Sequence, residues 1–309
     1  MDHEIAWIEA AGQRLGLVPT LGGGVAEWSW LGGSDRSEPL HLWRPWTRSS
    51  EDRYGLASFA MLPWSNRISH GGFEHRGRWF AMAPNRAGEL YPIHGDGWLQ
   101  AWTLQRPAAH VAELHLESRQ HGGNPYAYDA VQRFELLEHA LVQSVAVTQR
   151  GDEPLPFGLG LHPWFPRTPG TRVRSRVGGV WLSGDDPIPT RHSASFPPSW
   201  DLNPGADANG TLIDNGYTGW DGHATITWPE HGLALHLHQE MLQTPQGPRA
   251  PDDCLVYRPP VGPAFCFEPI TQPIDAFHLE GRPGLVELAR GETLMLRVHW
   301  RIDTRAPHD

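Results

Sequence analysis

Apolar and polar positions alternate along this chain with a period of two, the spacing of a strand with one buried face. "VAELHLES" puts Ala112, Leu114 and Leu116 on one side. "AVQRFELLEHALVQSVAVTQR" contains two such runs around a tight turn at Glu138–His139, which predicts a hairpin. "HATITWPEHGLALHLHQ" repeats the pattern: Ala224, Ile226 and Trp228, a Pro-Glu-His-Gly turn, then Leu233, Leu235 and Leu237. Shorter strands are expected in "RGRWFAMAP", "GWLQAWTLQ", "GGVWLSG", "DCLVYRPP" and "ETLMLRVHWRID". Gly and Pro, 34 and 29 in number, punctuate these runs and would break helices. Long amphipathic helical stretches are missing; "SEPLHLW" and "PIDAFHL" read as single turns at most. The pattern predicts an all-β protein, antiparallel sheets in a large sandwich or barrel, with residues 1–309 as one domain. "PSWDLNPGADANGTL" is the longest loop, and long loops in compact domains more often carry function than not.

Composition narrows the chemistry. Hydrophobic content of 39% and aromatic content of 10% supply a sizeable core. A net charge of −10 argues against a nucleic-acid partner, which calls for a basic patch. All 25 basic residues are arginine. Without lysine, Schiff-base catalysis, pyridoxal phosphate anchoring and a P-loop are excluded. Cys254 and Cys266 form neither a disulfide framework nor a metal-spaced motif. No run approaches the ~20 apolar residues of a membrane span, and the acidic N-terminus lacks an apolar stretch, so a cytoplasmic location is expected.

Candidate chemistry sits where strands meet turns, the places where a β-scaffold presents groups to a cleft. In "AFCFEPITQPIDAFHLEG", Glu268 stands at the end of an apolar strand, an expensive place for a carboxylate unless it is needed there. His94 precedes a glycine in "LYPIHGDGW"; His162 closes an apolar run in "PFGLGLHPWFPR", where Gly158 and Gly160 permit close approach and Trp164 follows. Asn66 and Arg67 follow a Pro-Trp pair, and Trp64 is a stacking partner for the guanidinium. Some of the 15 tryptophans, Trp164 among them, are expected as flat walls for sugar rings. His236 and His238 alternate with leucines and face water; as a metal half-site they lack a third ligand. No G-x-S-x-G elbow or dinucleotide fingerprint occurs. A glycosidase pair drawn from Asp96, Asp214 and Glu268 stays open, since sequence does not give their separation.

Taken in order, "NRI" with "GGFEHRGRWFAMAPN", "IHGDGW", "GLGLHPWFPR", "LIDNGYTGW" and "FCFEPITQPIDAFH" resemble the aldose 1-epimerase (galactose mutarotase) family, in its bacterial mutarotase-like branch. The likeness spans roughly residues 19 to 278. It implies a large antiparallel β-sandwich, a sugar substrate, no cofactor and no metal. By motif, Glu268 takes the place of the family's catalytic base and His162 that of its acid. His94 matches a second active-site histidine, Asn66 and Arg67 the sugar-binding pair, and Asp214 the acid that holds sugar hydroxyls. Better-known members carry Tyr-Phe-Asn after the catalytic histidine; this chain has Pro-Trp-Phe-Pro, which leaves the identity of the sugar open. Burial beside Phe265 and Phe267 is expected to raise Glu268 from ~4.3 toward neutrality, and a nearby carboxylate to keep His162, ordinarily ~6.5, protonated. Two rival readings remain: a sugar-binding or sensing protein without turnover, and an epimerase of phosphorylated hexoses using Arg44, Arg48 and Arg53. A monomer and a homodimer are both compatible with the sequence.

Overall fold

The hairpin expected at Glu138–His139 lies near the middle of the largest sheet. Strands Ala127–Leu137 and Ala140–Gln149 pair antiparallel with Leu137 opposite Ala140. His139 turns the corner in the left-handed region, at φ 55. The computed structural model describes residues 3–32, 38–48 and 52–304. Around that hairpin runs an 11-stranded sheet, which includes Val111–Arg119, Thr293–Asp303, Leu233–Gln239 and His223–Trp228. An 8-stranded sheet carries Gly179–Ser183, Ile213–Thr218, Asp253–Arg258 and Ala264–Ile270 in that spatial order, and a 4-stranded sheet holds the first strands of the chain. Every pairing between named strands is antiparallel in these sheets, as the alternation predicts.

Period two becomes a core because it gives each strand one apolar face. Leu114, Leu235 and Leu237 are buried, and His238 on the reverse face is exposed. The sheets close on one another through aromatic contacts. Trp300 of the larger sheet meets Trp43 edge-on at 5.3 Å and Phe165 at 6.0 Å. Such pairs bury large areas and fix the spacing between layers.

Local expectations fail in three places. "SEPLHLW" is not a single turn: Ser37 lies outside the described residues, and Leu40–Trp43 is a strand of the 4-stranded sheet, its Trp43 opposite Trp28. "GWLQAWTLQ" begins with a 3₁₀ turn over Gly97–Leu99, and its strand starts only at Thr103. The strand bearing Glu268 does not end there but continues through Pro269 to Ile270. The long loop ends at Leu212, two residues before Asp214. It wraps the buried Arg258, whose guanidinium donates to the carbonyls of Ser199, Asp207 and Thr211.

Candidate active site

The 8-stranded sheet is interrupted beside Glu268. Gly160 pairs with Ile270 and Trp164 with Cys266, while His162 and Pro163 between them leave the ladder. Continuing either register puts His162 directly opposite Glu268. The break costs little, because Pro163 and Pro269 have no N–H to contribute. On the far side, the backbone N–H groups of His162 and Trp164 donate to the carbonyls of Phe59 and Ala57.

Cross-strand partners share a face, so the registers define two rows on this side of the sheet. One row runs Asp214, Tyr257, Cys266, Trp164. The other runs Gly216, Leu255, Glu268 and, across the break, His162. Phe265 and Phe267 alternate to the opposite face and belong to the main core. They are therefore not what desolvates Glu268, contrary to expectation. That task falls to the site-face residues: Leu255, and through His162 the rings of Phe59 and Trp164.

His162 Nε2 lies 3.4 Å from Glu268 Oε1, and both side chains are almost wholly buried. The Phe59 ring stacks on the imidazole at 4.6 Å and 23°. Glu268 Oε2 has no hydrogen-bond partner among the described residues. Burial, reinforced by the Asp214 carboxylate and opposed by Arg67, pushes Glu268 well above the usual carboxylate range. The direction is the expected one. His162 departs from expectation: burial drives it down to about 3, against a hydrogen bond to its own carbonyl that favours the proton, with Arg44 lowering it further. Glu268 does not hold it protonated, because both groups lose the water that would solvate their charges. Both shifts favour the uncharged forms.

His94 stands on the other side of His162, ring centroids 5.3 Å apart and planes at 87°. Its Nδ1 accepts the backbone N–H of Asn66 at 3.1 Å, which leaves the proton on Nε2. Burial and the neighbouring His162 hold His94 well below the ordinary histidine value, so it is a neutral donor. The loop that carries it approaches Leu62 so closely that a Cβ on Gly95, at φ +67, would lie 1.9 Å from the Leu62 carbonyl oxygen. Asn66 and His94 themselves adopt φ 55 and φ 60, unusual for residues other than glycine.

Arg67 is fixed by carboxylates rather than by tryptophan. Its Nε is 3.2 Å from Glu89 Oε2 and its Nη1 3.5 Å from Asp214 Oδ2. Trp64 packs instead against Tyr126. The stacked guanidinium groups here are Arg44 over Trp164 at 4.3 Å and Arg86 over Tyr54 at 4.1 Å. Burial raises Asp214 above its ordinary value and Arg67 opposes the shift. Asp214 keeps 28% of its side chain exposed, so it stands at the rim above a buried floor.

The structure thus gathers Glu268, His162, His94, Arg67, Asn66, Asp214 and Trp164, all singled out in the sequence. It leaves Asp96 out of that group: it is held by Tyr128, Ser118 and Asn124 beside the larger sheet. Gly158 and Gly160 make room for Gln272 and Met61, not for a ligand. His238 gains ring neighbours on both adjacent strands, His223 at 4.5 Å and His299 at 5.9 Å, stacked rather than converging. Sequence reasoning missed Glu89, Tyr54, Arg86, Tyr257 and Cys266. Only Cys266 had a signal, two positions from Glu268 on an alternating strand.

The sequence profile of the aldose 1-epimerase family matches residues 9–300. The chain belongs to that family. It is 31% identical to the uncharacterised protein YphB of Escherichia coli (strain K12) over 292 residues, covering 90% of this chain and 93% of YphB. Among solved structures it superposes on a candidate aldose 1-epimerase from E. coli K12 with a TM-score of 0.87 at 26% identity, covering 98% of this chain and 99% of the other. A galactose mutarotase-like protein from Clostridium acetobutylicum, at 16% identity and a TM-score of 0.83, shares the fold over 98% of this chain and 96% of its own.

Proposed function

We propose that the protein interconverts the α and β anomers of a free, neutral aldose by opening and reclosing the sugar ring. The observation that carries this reading is the buried pair His162–Glu268, Nε2 and Oε1 3.4 Å apart; in the proposed reaction the pair shares one proton. Passing that proton to His162 Nε2 leaves Glu268 as a carboxylate base and His162 as an imidazolium acid. Glu268 then takes the proton from the C1 hydroxyl while His162 protonates the ring oxygen, and the C1–O5 bond breaks to give the open aldehyde. Rotation about C1–C2 presents the other carbonyl face, and closure returns both protons. General acid–base help of this kind is worth about 10²–10⁴-fold. Around the pair, His94 Nε2–H and Arg67 donate to sugar oxygens, Asp214 accepts from hydroxyls, and Trp164 stands as a flat wall.

A neutral sugar is favoured over a phosphorylated one by what the arginines already do. Arg44 donates to the carbonyls of Tyr54 and Leu56. Arg53 donates to the Leu99 carbonyl, Arg48 lies over the Trp46 ring at 6.0 Å, and Arg86 pairs with Asp52 and Glu89. Polarimetry on fresh α-D-glucose and α-D-galactose, with anomer-resolved NMR on 6-phosphorylated hexose alongside, tests the reading. Faster mutarotation of free sugar supports it. No acceleration with any sugar sends the protein to the binding-only class, and acceleration confined to the phosphorylated sugar overturns the substrate assignment.

A further inference from the structure

We propose that Cys266 is a positioning residue: its sulfur accepts the Nδ1–H of His162 and so reserves Nε2 for proton exchange. The catalytic consequence rests on the epimerase reading above; the geometry does not. Cys266 and Glu268 project from the same strand face, two residues apart, toward the gap that holds His162. Cys266 Sγ lies 3.6 Å from Nδ1, and Glu268 Oε1 lies 3.4 Å from Nε2. One imidazole is thus held between a sulfur and a carboxyl group, each addressing a different nitrogen.

Other uses of the trio fit less well. His162, Cys266 and Glu268 have ligand atoms within 4.8 Å of one another, close enough to consider a metal ion. A metal centre needs one imidazole nitrogen, the sulfur and a carboxylate oxygen all aimed at a single ion, whereas here the sulfur lies against Nδ1 and the carboxyl oxygen against Nε2. A nucleophilic thiol is also disfavoured, since burial and the nearby Glu268 push the Cys266 thiol well above its ordinary value.

The proposed chemistry says which way the hydrogen bond runs. In the neutral pair, Nε2 must carry a lone pair to receive the proton of Glu268, so the imidazole proton is on Nδ1. After transfer both nitrogens are protonated, and Nδ1 still donates. Cys266 is therefore an acceptor throughout, as the third member of a catalytic triad is toward its histidine. Sulfur does this without charge. A carboxylate in its place would stabilise the imidazolium and trap the proton on His162, whereas a neutral thiol fixes the ring's rotation and leaves exchange with Glu268 reversible. Phe59, stacked on the imidazole, holds its plane, and Cys266, together with the His162 carbonyl that favours the same proton, fixes which edge faces Glu268.

The test is ¹⁵N NMR of protein labelled at histidine, with the His162 signals assigned by their loss in His162→Gln. At neutral pH the expected spectrum shows a protonated Nδ1 and an unprotonated Nε2. Cys266→Ala is expected to mix the two tautomers and to lower kcat about tenfold with KM unchanged. Cys266→Ser, whose oxygen also accepts, is expected to restore both. An unprotonated Nδ1 in the wild type overturns the proposal, as does a Cys266→Ala spectrum identical to wild type. The tautomer is read without turnover. A protein that shows it but accelerates no mutarotation keeps the Cys266 assignment and loses the epimerase reading; a mutarotase lacking it keeps the epimerase and loses the assignment.

Discussion

His162 and Glu268 stand opposite one another across a gap in a single sheet, Nε2 to Oε1 3.4 Å, though they come from distant segments of the chain. Replacing Glu268 with Gln keeps the shape and removes the titrating group. The expected result is a fall in mutarotation of about 10²–10⁴-fold, with unchanged circular dichroism and a melting temperature no lower than wild type. A variant that turns over at the wild-type rate removes Glu268 from the reaction.

The pH profile should lack the inflection of an ordinary histidine. The competent pair carries one proton. A second joins only as the pH falls to about 3, where His162 titrates. The single proton leaves only above the raised value of Glu268, beyond the usual carboxylate range. Activity is therefore expected to hold level as pH drops from 7 to 5 and to fall on the alkaline side. Loss of kcat/KM along a limb near 6.5 would show a solvated, ordinary His162 and contradict the buried pair.

Asp214 reports on both binding and electrostatics. Its carboxylate holds Arg67 at 3.5 Å and raises Glu268 through space. Asp214→Asn is expected to raise KM about tenfold, the worth of one charge-assisted hydrogen bond to a hydroxyl. It also removes a like charge from Glu268, so the alkaline limb moves to lower pH. Steady-state polarimetry across pH gives both quantities, and a KM unchanged from wild type would remove Asp214 from the sugar contacts.

A second buried acid affects stability alone. Asp253, raised to about 7 chiefly by burial and then by Asp252, is buried in the strand beside Glu268's own. Its folded value lies above its unfolded one, so its stabilising effect is complete below about 4 and is lost as pH rises through 7. Asp253→Asn is expected to leave stability unchanged near pH 4 and to increase it by about 4 kcal/mol at pH 8. Equal melting curves at pH 8 would show that water or rearrangement solvates this carboxylate.

Much of this was legible in the sequence because alternation dictates which side chains are buried. The hairpin at Glu138–His139 follows from two periodic runs with one turn between them. Glu268 stood out as a carboxylate in an apolar strand, and His162 as a histidine against a proline. What alternation cannot show is which strands are neighbours. The rows that bring Asp214 to Tyr257 and Cys266 exist only once register is set, so Tyr257 stayed invisible and Cys266 looked inert. Glu89 and Tyr54 lie in irregular segments whose sequences carry no periodic signal. The assignment of Phe265 and Phe267 as Glu268's wall failed for a related reason: adjacency along a strand means opposite faces. "SEPLHLW" hides its strand because Leu40–Trp43 is too short to show a period.

Arg258 spends its guanidinium mainly on main-chain oxygens, those of Ser199, Asp207 and Thr211. Such a tether is largely blind to side-chain identity. Substitutions at the exposed positions of residues 198–212 can accumulate without loosening the segment, whereas Gly210, at φ +143 against the Arg258 guanidinium, and the buried Leu202 cannot drift so freely. A single change at Arg258 would release all three attachment points together and open the region to proteolytic nicking.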